Sequence, residues 1–180
     1  MKRQRLFLLV TMLLPMAASA DDSGTCGDNL TWTYTEATKT LTISGTGAMN
    51  DYEYPNYDPW YSYSSDIEKV TIENGVTSIG DCAFHECSSL TSITIPEGVT
   101  SIGASAFNGC SSLTAITIPE GVTSIGAGAF SYCSSLTSIT IPEGVTSIGD
   151  YTFRGCSSLP SITIPEGVTG IGDGAFYKCI

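Results

Sequence analysis

Positive charge is scarce in this chain. Its 180 residues include 7 Lys and Arg against 18 Asp and Glu, a formal net charge of −11. A protein that neutralises nucleic-acid phosphates needs a basic surface, so this balance argues against nucleic acid as a partner. It argues equally against binding to an anionic membrane surface through a basic patch.

Histidine is scarcer still, since His85 is the only one. Catalysis of the Ser-His-Asp type needs a positioned base and an orienting partner. His85 instead stands in a variable repeat position, filled elsewhere by Asn108, Ser131, Arg154 and Tyr177, which we interpret as an exposed surface. Cys-x-x-Cys and Cys/His pairs are also missing, which disfavours a metal site. We therefore expect no enzymatic activity, no metal and no cofactor.

Long hydrophobic runs are missing apart from residues 6–14. Nine apolar-rich residues are too few to span a bilayer. Lys2, Arg3 and Arg5 precede them and an Ala-Ser-Ala sequence follows at 18–20, a pattern that predicts a signal peptide over residues 1–20. Its removal takes three of the seven basic residues and changes the net charge to about −14. We expect a secreted or cell-surface protein with no membrane span after cleavage.

A repeat of 23 residues is the abundant feature. ITIPEGVTSIGASAFNGCSSLTA at residues 93–115 recurs at 116–138 and 139–161, stops early at 162–180 and has a looser copy at 70–92. A fixed period of this length predicts a solenoid. Within each unit, Leu-x-x-Ile-x-Ile predicts a strand that the proline ends. Val-Thr-Ser-Ile predicts a second extended side, and Ala-Phe-x-x-Cys one helical turn.

The motif IPEGVTSIG, followed by AF, Cys and SSL, resembles the BspA-like, or treponemal-type, leucine-rich repeats of bacterial surface proteins. The resemblance covers residues 70–180, and GTCGDNLTW and LTISGTGAM before them resemble the N-terminal region often found with such repeats. It implies adhesion to host or neighbouring-cell proteins, including extracellular-matrix components. We predict a mainly β protein: a leucine-rich-repeat solenoid of about five 23-residue rungs (70–180, last repeat incomplete) with a small N-terminal β cap (21–69).

The cap region is rich in aromatic residues. Trp32 and Tyr34 alternate with threonines and predict a hairpin over residues 31–44. Six further aromatics follow: Tyr52, Tyr54, Tyr57, Trp60, Tyr61 and Tyr63. They either pack the cap onto the first rung, which we favour, or bind a sugar or an extended peptide. Trp60, Tyr61 and Tyr63 are therefore candidate binding residues.

Five cysteines recur at the repeat period: Cys87, Cys110, Cys133, Cys156 and Cys179. We predict that they are buried, reduced and directed at backbone carbonyls. Cys26 and Cys82 lie outside this series, and the distance between them decides whether they form a disulfide. The register of Glu97, Glu120, Glu143 and Glu166 predicts a solvated acidic ridge.

Variation between rungs is concentrated around the Ala-Phe pair. Tyr132, Tyr151, Arg154 and Tyr177 lie there and are candidate binding residues. Thr152 and Pro160 break the pattern of the fourth unit, where we expect the strongest local distortion. The last unit stops before its SSL segment, so we also expect either self-association through the open C-terminal rung or a missing cap.

The function predicted from these patterns is a binding or adhesion module that recognises extracellular or cell-surface proteins through an extended solenoid surface. Two surfaces are candidates for binding the partner: the outward Ser and Thr of the main sheet, and the variable turn side. One alternative is a carbohydrate-binding module that uses Trp60 and its neighbouring tyrosines, with glycans as partners. The other is a structural spacer in a longer surface protein.

Overall fold

Short strands stacked along two sides form the body of the protein, with one strand on each side in all repeats but the last. The computed structural model describes residues 21–53 and 57–179. The predicted signal peptide (1–20), Tyr54 and Ile180 lie outside the described residues. Within them the protein is mainly β, and the predicted solenoid is confirmed.

The cap is an antiparallel meander. Its strands are β1 (Asp22–Gly27), β2 (Leu30–Thr35) and β3 (Thr40–Gly45), in that spatial order. The predicted hairpin is the β2–β3 pair, in which Trp32 faces Ile43 and Tyr34 faces Leu41. Lys39, in the left-handed region at φ 51°, ends the turn between them. The hairpin is thus confirmed, whereas β1 was not predicted.

The two sides of the solenoid grow directly from the cap. On one side β3 pairs in parallel with β5 (Lys69–Ile72), which pairs with β7 (Ser92–Thr94); β9 (Ala115–Thr117) and β11 (Ser138–Thr140) form a second pair farther along. The other side consists of β4 (Gly47–Ala48), β6 (Val76–Ile79), β8 (Ser101–Ile102) and β10 (Ser124–Ile125), then the pair β12 (Ser147–Ile148) and β13 (Gly170–Ile171). The cap therefore adds a strand to each side of the solenoid. The boundary at residues 69 and 70 stays a prediction.

The turn side differs from the predicted helical turn. Alternate N–H groups reach the next rung: Cys82 donates to Ala104 (2.9 Å), Phe84 to Ala106 (2.8 Å) and Glu86 to Asn108 (2.7 Å). Cys82 and Glu86 have φ of 54° and 57°, and the equivalent residues of the later rungs are left-handed as well. Because left-handed residues interrupt a right-handed helix, these N–H groups bond between rungs instead of along the segment. The helical-turn prediction was wrong for that reason.

Distortion in the fourth unit appears at Pro160 but not at Thr152. Proline has no N–H, whereas Thr137, at the same position one repeat earlier, donates to Thr114 across the rungs (2.9 Å). Among the described residues, 161–163 are not assigned to a strand, in contrast to β7, β9 and β11. Thr152 is accommodated, because its hydroxyl donates to the Gly149 carbonyl oxygen at 2.8 Å.

One column of aromatic rings runs through the core. Phe84, Phe107, Phe130, Phe153 and Phe176 stack with centroids 5.3–5.7 Å apart and planes within 18° of parallel. Trp60 begins the column, 6.0 Å from Phe84 and 23° from parallel to it. Each rung therefore buries its ring only against its two neighbours, as expected of a solenoid.

The periodic cysteines lie beside the ring column. The thiols of Cys110, Cys133 and Cys156 donate to the carbonyl oxygens of Phe84, Phe107 and Phe130 at 3.1–3.2 Å. None of the seven cysteines, all within the described ranges, forms a disulfide, so Cys26 and Cys82 are not bridged. Burial raises the pKa of the Cys156 thiol to about 12 and that of Cys110 well above its usual range. The predicted contact between thiol and carbonyl is confirmed for Cys110, Cys133 and Cys156, and also for Cys179, whose thiol donates to the Phe153 carbonyl oxygen at 2.9 Å but which is only half-buried. Cys87 is buried as predicted.

Thiol labelling checks this arrangement. The thiolate is the reactive form of cysteine, and burial disfavours it. We therefore expect a reagent that forms mixed disulfides with thiols to label only the half-buried Cys82 and Cys179 quickly in the folded protein. All seven cysteines should react in urea. Mass spectrometry of the labelled peptides measures both. Rapid labelling of Cys110 or Cys133 in the folded protein would mean that these thiols are not buried.

The last described rung is less covered than the others. Ile171 is 55% exposed, and Phe176 is only partly buried. Self-association through this rung stays a prediction.

Candidate functional site: a tyrosine and arginine cluster on the turn side

Four of the seven predicted binding residues converge on one surface. The Arg154 guanidinium carbon lies 5.2 Å from the ring centroid of Tyr132, 5.4 Å from that of Tyr151 and 5.6 Å from that of Tyr177. The three tyrosines are 45–53% exposed. A cation over aromatic faces is attracted by the ring quadrupole. We call these four residues the tyrosine–arginine cluster.

Backbone geometry brings the cluster together. Arg154 and Tyr177 hold the same repeat position, one rung apart. Tyr132 and Tyr151 come from flanking positions and are left-handed, at φ 58° and 57°. The Tyr132 N–H donates to the Arg154 carbonyl oxygen (2.6 Å), and the Gly155 N–H to that of Tyr177 (2.8 Å). Rung-to-rung bonds therefore fix the spacing of the side chains.

Two glycines make room for the rings. A Cβ on Gly155 would lie 2.8 Å from Cδ1 of Tyr132, and one on Gly174 would lie 2.7 Å from Cε1 of Tyr151. Each glycine stands one repeat after the tyrosine that it faces. Any larger residue would displace the ring, so each of these two tyrosines packs closely against a glycine as well as lying near the arginine.

The guanidinium of Arg154 lacks an ion-pair partner among the described residues. Its Nε is buried and has no hydrogen-bond partner within them. Asp150 lines the same depression, but its carboxylate accepts the Asp173 N–H at 2.7 Å. Lys178 adds a second cation, 5.5 Å from the Tyr177 ring centroid.

Three depressions follow one another along the turn side. The first, of about 590 Å³, reaches from Ser64 and Glu86 to Tyr132. The second, of about 230 Å³, has Tyr132 and Arg154 among its walls. The third, of about 350 Å³, lies between Arg154 and Tyr177. Successive depressions share wall residues, so together they form a groove across the rungs, which we call the turn-side groove.

The remaining candidates, on the cap, are mostly engaged in packing. Trp60 is fully buried, and its Nε1 donates to the Ala83 carbonyl oxygen at 2.8 Å. Tyr63 stacks on Tyr34 with centroids 4.4 Å apart, and its hydroxyl donates to the Asp22 carboxylate. Tyr61, 37% exposed, stacks on Tyr57. The packing interpretation is favoured for Trp60 and Tyr63, and Tyr61 alone of the three is well exposed.

The repeat position that contains His85 is not simply exposed. His85 is half-buried and lines a cavity of about 270 Å³ beside Cys82 and Asp58. Ser131, at the same position, is 3% exposed. Treating this position as open surface was therefore wrong, because the neighbouring rungs cover its smaller side chains. Within residues 21–53 and 57–179 no three His, Cys, Asp or Glu are grouped so as to hold a metal ion.

Asp58 is a buried carboxylic acid that the sequence patterns did not single out. It is 5% exposed, and its Oδ1 has no partner among the described residues. Burial raises its pKa from 3.8 to about 7, against the opposing effect of the backbone N–H groups of Asp58 and Trp60. The only hint in the sequence is its place two residues before the buried Trp60.

Asp58 makes stability depend on pH. The folded protein binds this proton more tightly than the unfolded chain, so its contribution is complete below about pH 4 and is lost as pH rises to about 7. Asp58→Asn stays neutral. The variant should match the wild type near pH 4 and exceed its unfolding free energy by about 4 kcal/mol at pH 8.

Urea unfolding at several pH values measures this difference. The exposed Asp28→Asn serves as the control for removing a surface carboxylate. A difference between Asp58→Asn and wild type that does not change with pH would mean that folding does not raise the pKa of Asp58.

The main sheet offers the second candidate surface. Its outward residues are exposed from the second rung onward: Ser92, Thr94, Ala115, Thr117, Ser138, Thr140, Ser161 and Thr163. In the first rung the same positions hold the exposed Lys69 and the half-buried Thr71. The four in-register glutamates, Glu97, Glu120, Glu143 and Glu166, are also exposed, as predicted. Apart from Lys69, neither set contains an aromatic residue or a cation. No helix among the described residues is long and apolar enough to cross a membrane.

Comparison with known proteins identifies the repeats. The sequence model of a family described as BspA type leucine rich repeat region matches residues 58–180 with six copies, beginning within the cap. No curated protein is similar enough to the chain to count as a relative.

Several solved structures are similar. The T. pallidum leucine rich repeat protein is 26% identical, with a TM-score of 0.57 over 82% of this chain and 85% of that one. A leucine rich cell surface protein from Faecalibacterium prausnitzii is 30% identical, with a TM-score of 0.55 over 91% and 54%. A leucine-rich repeat protein from Eubacterium ventriosum is 26% identical, with a TM-score of 0.51 over 88% and 63%. The chain spans less than two thirds of the last two.

Proposed function

Because the chain belongs to the BspA type leucine rich repeat family, we propose that it is an extracytoplasmic adhesion module that binds other proteins through the tyrosine–arginine cluster. The observation that carries this proposal is the convergence of three half-exposed tyrosines on one arginine. Tyr and Arg are enriched among the residues that dominate binding energy at protein interfaces. The main sheet face has neither.

Preorganisation supports the proposal. Tyrosine contributes a large contact area at a low cost in side-chain entropy. Here the cost is lower still, since Gly155 and Gly174 hold two of the rings before any partner arrives. A surface whose side chains are fixed in advance loses less entropy on binding.

An extracytoplasmic location is supported by two observations. Residues 1–20 have the pattern of a signal peptide, and the similar Faecalibacterium prausnitzii protein is described as a cell surface protein. The proposed partners are accordingly proteins of a host or neighbouring cell surface, or of the extracellular matrix. The buried position of Trp60 weighs against a carbohydrate site built on that ring.

The test compares two double variants. Tyr132→Ala with Tyr177→Ala removes two rings of the cluster, and Thr94→Ala with Thr117→Ala truncates two neighbouring side chains of the exposed sheet face. Surface plasmon resonance measures the binding of each variant to a panel of purified matrix and cell-surface proteins. We expect the tyrosine variant to lose at least about 30-fold in affinity for whichever protein the wild type binds.

The threonine variant should bind within about threefold of wild type. Circular dichroism melting confirms that both variants are folded. Retention of binding by the tyrosine variant, or its loss in the threonine variant alone, would contradict the proposal and move the interface to the sheet.

A further inference from the structure

We infer that the partner segment is an extended peptide that lies in the turn-side groove and places one acidic side chain against Arg154. This inference rests on the proposed function and adds the chemistry of the partner. Its grounds are the unpaired guanidinium, the distribution of the nearby charges, the length of the groove and the packing of the tyrosine rings.

The unpaired guanidinium calls for an anion. Arg154 has no ion-pair partner among the described residues, and its side chain is only partly buried. Its side chain is already fixed by three rings, so a carboxylate that docks there need not order it. Planar guanidinium and carboxylate groups match in geometry and form strong charge-assisted hydrogen bonds. In a chain with seven basic residues, Arg154 and Lys178 lie beside the same tyrosine.

The charges around the groove favour a single acidic group over a polyanion. Glu86 lines the first depression, toward the cap. Asp150 lines the second, and its Oδ1 accepts the Asp173 N–H, so a further acidic group of the partner would meet a carboxylate there. The cations lie at the other end, near Tyr177. A segment with many negative charges would meet repulsion from Glu86 and from the acidic chain as a whole, whereas one acidic residue near Arg154 meets a local attraction that salt screens little at contact distance.

The length of the groove suits an extended peptide. It crosses the rungs from Glu86 to Tyr177, and the rings in the core beneath are spaced 5.3–5.7 Å per rung. Four such steps make about 22 Å, the length of about seven residues in an extended strand. Tyr132 and Tyr151 stand as ridges between the three depressions, so alternate side chains of the segment can enter the depressions.

Ring packing favours a peptide over an acidic sugar. A sugar binds tyrosine by stacking on an open ring face. The Arg154 guanidinium already lies over the rings of Tyr132, Tyr151 and Tyr177, 5.2–5.6 Å from their centroids, so it occupies one face of each ring. A sugar would compete with the arginine for that face, whereas a peptide chain can pack against the remaining exposed ring surface and hydrogen-bond with the hydroxyl groups.

Selection from a random library provides the test without a known ligand. Heptapeptides displayed on phage are selected on the purified protein, and in parallel on the Arg154→Gln variant. We expect the wild type to enrich peptides with one Asp or Glu at a fixed position. Synthetic copies should bind at least about tenfold more tightly than their Asn or Gln analogues. Arg154→Gln should abolish that difference, and Arg154→Lys should restore part of it.

The other outcomes overturn the inference. They are failure to enrich any peptide, equal binding of the acidic and amide peptides, and an acidic preference that survives Arg154→Gln. Displacement of bound phage by an oligogalacturonate at a lower concentration than by the free acidic peptide would assign the groove to acidic glycans. Equal binding of acidic and amide peptides, lost in the Tyr132→Ala and Tyr177→Ala variant, would leave the proposed function standing while refuting the acidic partner.

Discussion

Replacing Phe130 by alanine should lower the free energy of unfolding by about 3–5 kcal/mol. The ring is fully buried and stacks on Phe107 at 5.4 Å and on Phe153 at 5.7 Å, each within 5° of parallel. Stability in a solenoid comes from each rung and its two interfaces. The cavity left by this ring would open on both of them at once.

Urea unfolding monitored by circular dichroism measures the loss. Thr117→Ala is the control, because Thr117 is exposed on the main sheet of the same unit, and should change the free energy by less than about 0.5 kcal/mol. A Phe130→Ala variant as stable as the control would mean that the ring column is not the core of the protein.

Trp60→Ala should be about as damaging, at roughly 3–5 kcal/mol. Trp60 begins the ring column and packs edge-on against Trp32 and Tyr52 at 5.9 Å. Its loss would also leave the Ala83 carbonyl oxygen without the indole N–H that it accepts, a further cost for a buried acceptor. The cap should therefore loosen from the first rung before the solenoid unfolds.

Hydrogen exchange locates this effect. The amides of β2 and β3 should exchange faster in Trp60→Ala, while those around Phe130 and Phe153 keep their protection. Tyr61→Ala is the matched control, since Tyr61 is the exposed neighbour, and should leave the cap protected. Uniform loss of protection along the whole chain would contradict a role confined to the cap interface.

The inward-facing positions of the core could be predicted, because the repeats give several examples of the residue at each position. An inward residue such as Phe107 recurs as Phe in every unit, and the same holds for Cys110. Both are fully buried. The antiparallel hairpin of the cap was equally readable, since Trp32 and Tyr34 alternate with threonines. Both patterns depend on which side chains are buried, and the spacing of apolar residues along the sequence indicates this directly.

The turn side could not be predicted in the same way, because it depends on backbone conformation. Nothing in the residue type of Cys82 or Tyr151 indicates a positive φ. Glycine at Gly128 and Gly174, in the same column, is the signal that could have shown it, since glycine favours left-handed positions. Taken alone, Ala-Phe-x-x-Cys suits a helical turn equally well.

The sequence predicted the residues of the candidate site but not the contacts between them. Variation between rungs indicated Tyr132, Tyr151, Arg154 and Tyr177 one by one, but not that they meet. The four side chains come into contact because Tyr132 and Tyr151 have left-handed backbones and because a glycine lies beside each ring one repeat later. These contacts join residues from different rungs, so the structure is needed to see them. Trp60 shows the opposite case, because a candidate ligand-binding ring is the first member of the core column.

Photo-crosslinking from single positions tests the central claim most directly, that partners bind on the turn side. A photoreactive phenylalanine analogue is placed at Tyr177, or at Thr117 on the sheet face, and the protein is irradiated with the partner identified by the binding panel. We predict crosslinks from position 177 and none above background from position 117. Crosslinks from position 117 alone would contradict the account and place the interface on the sheet.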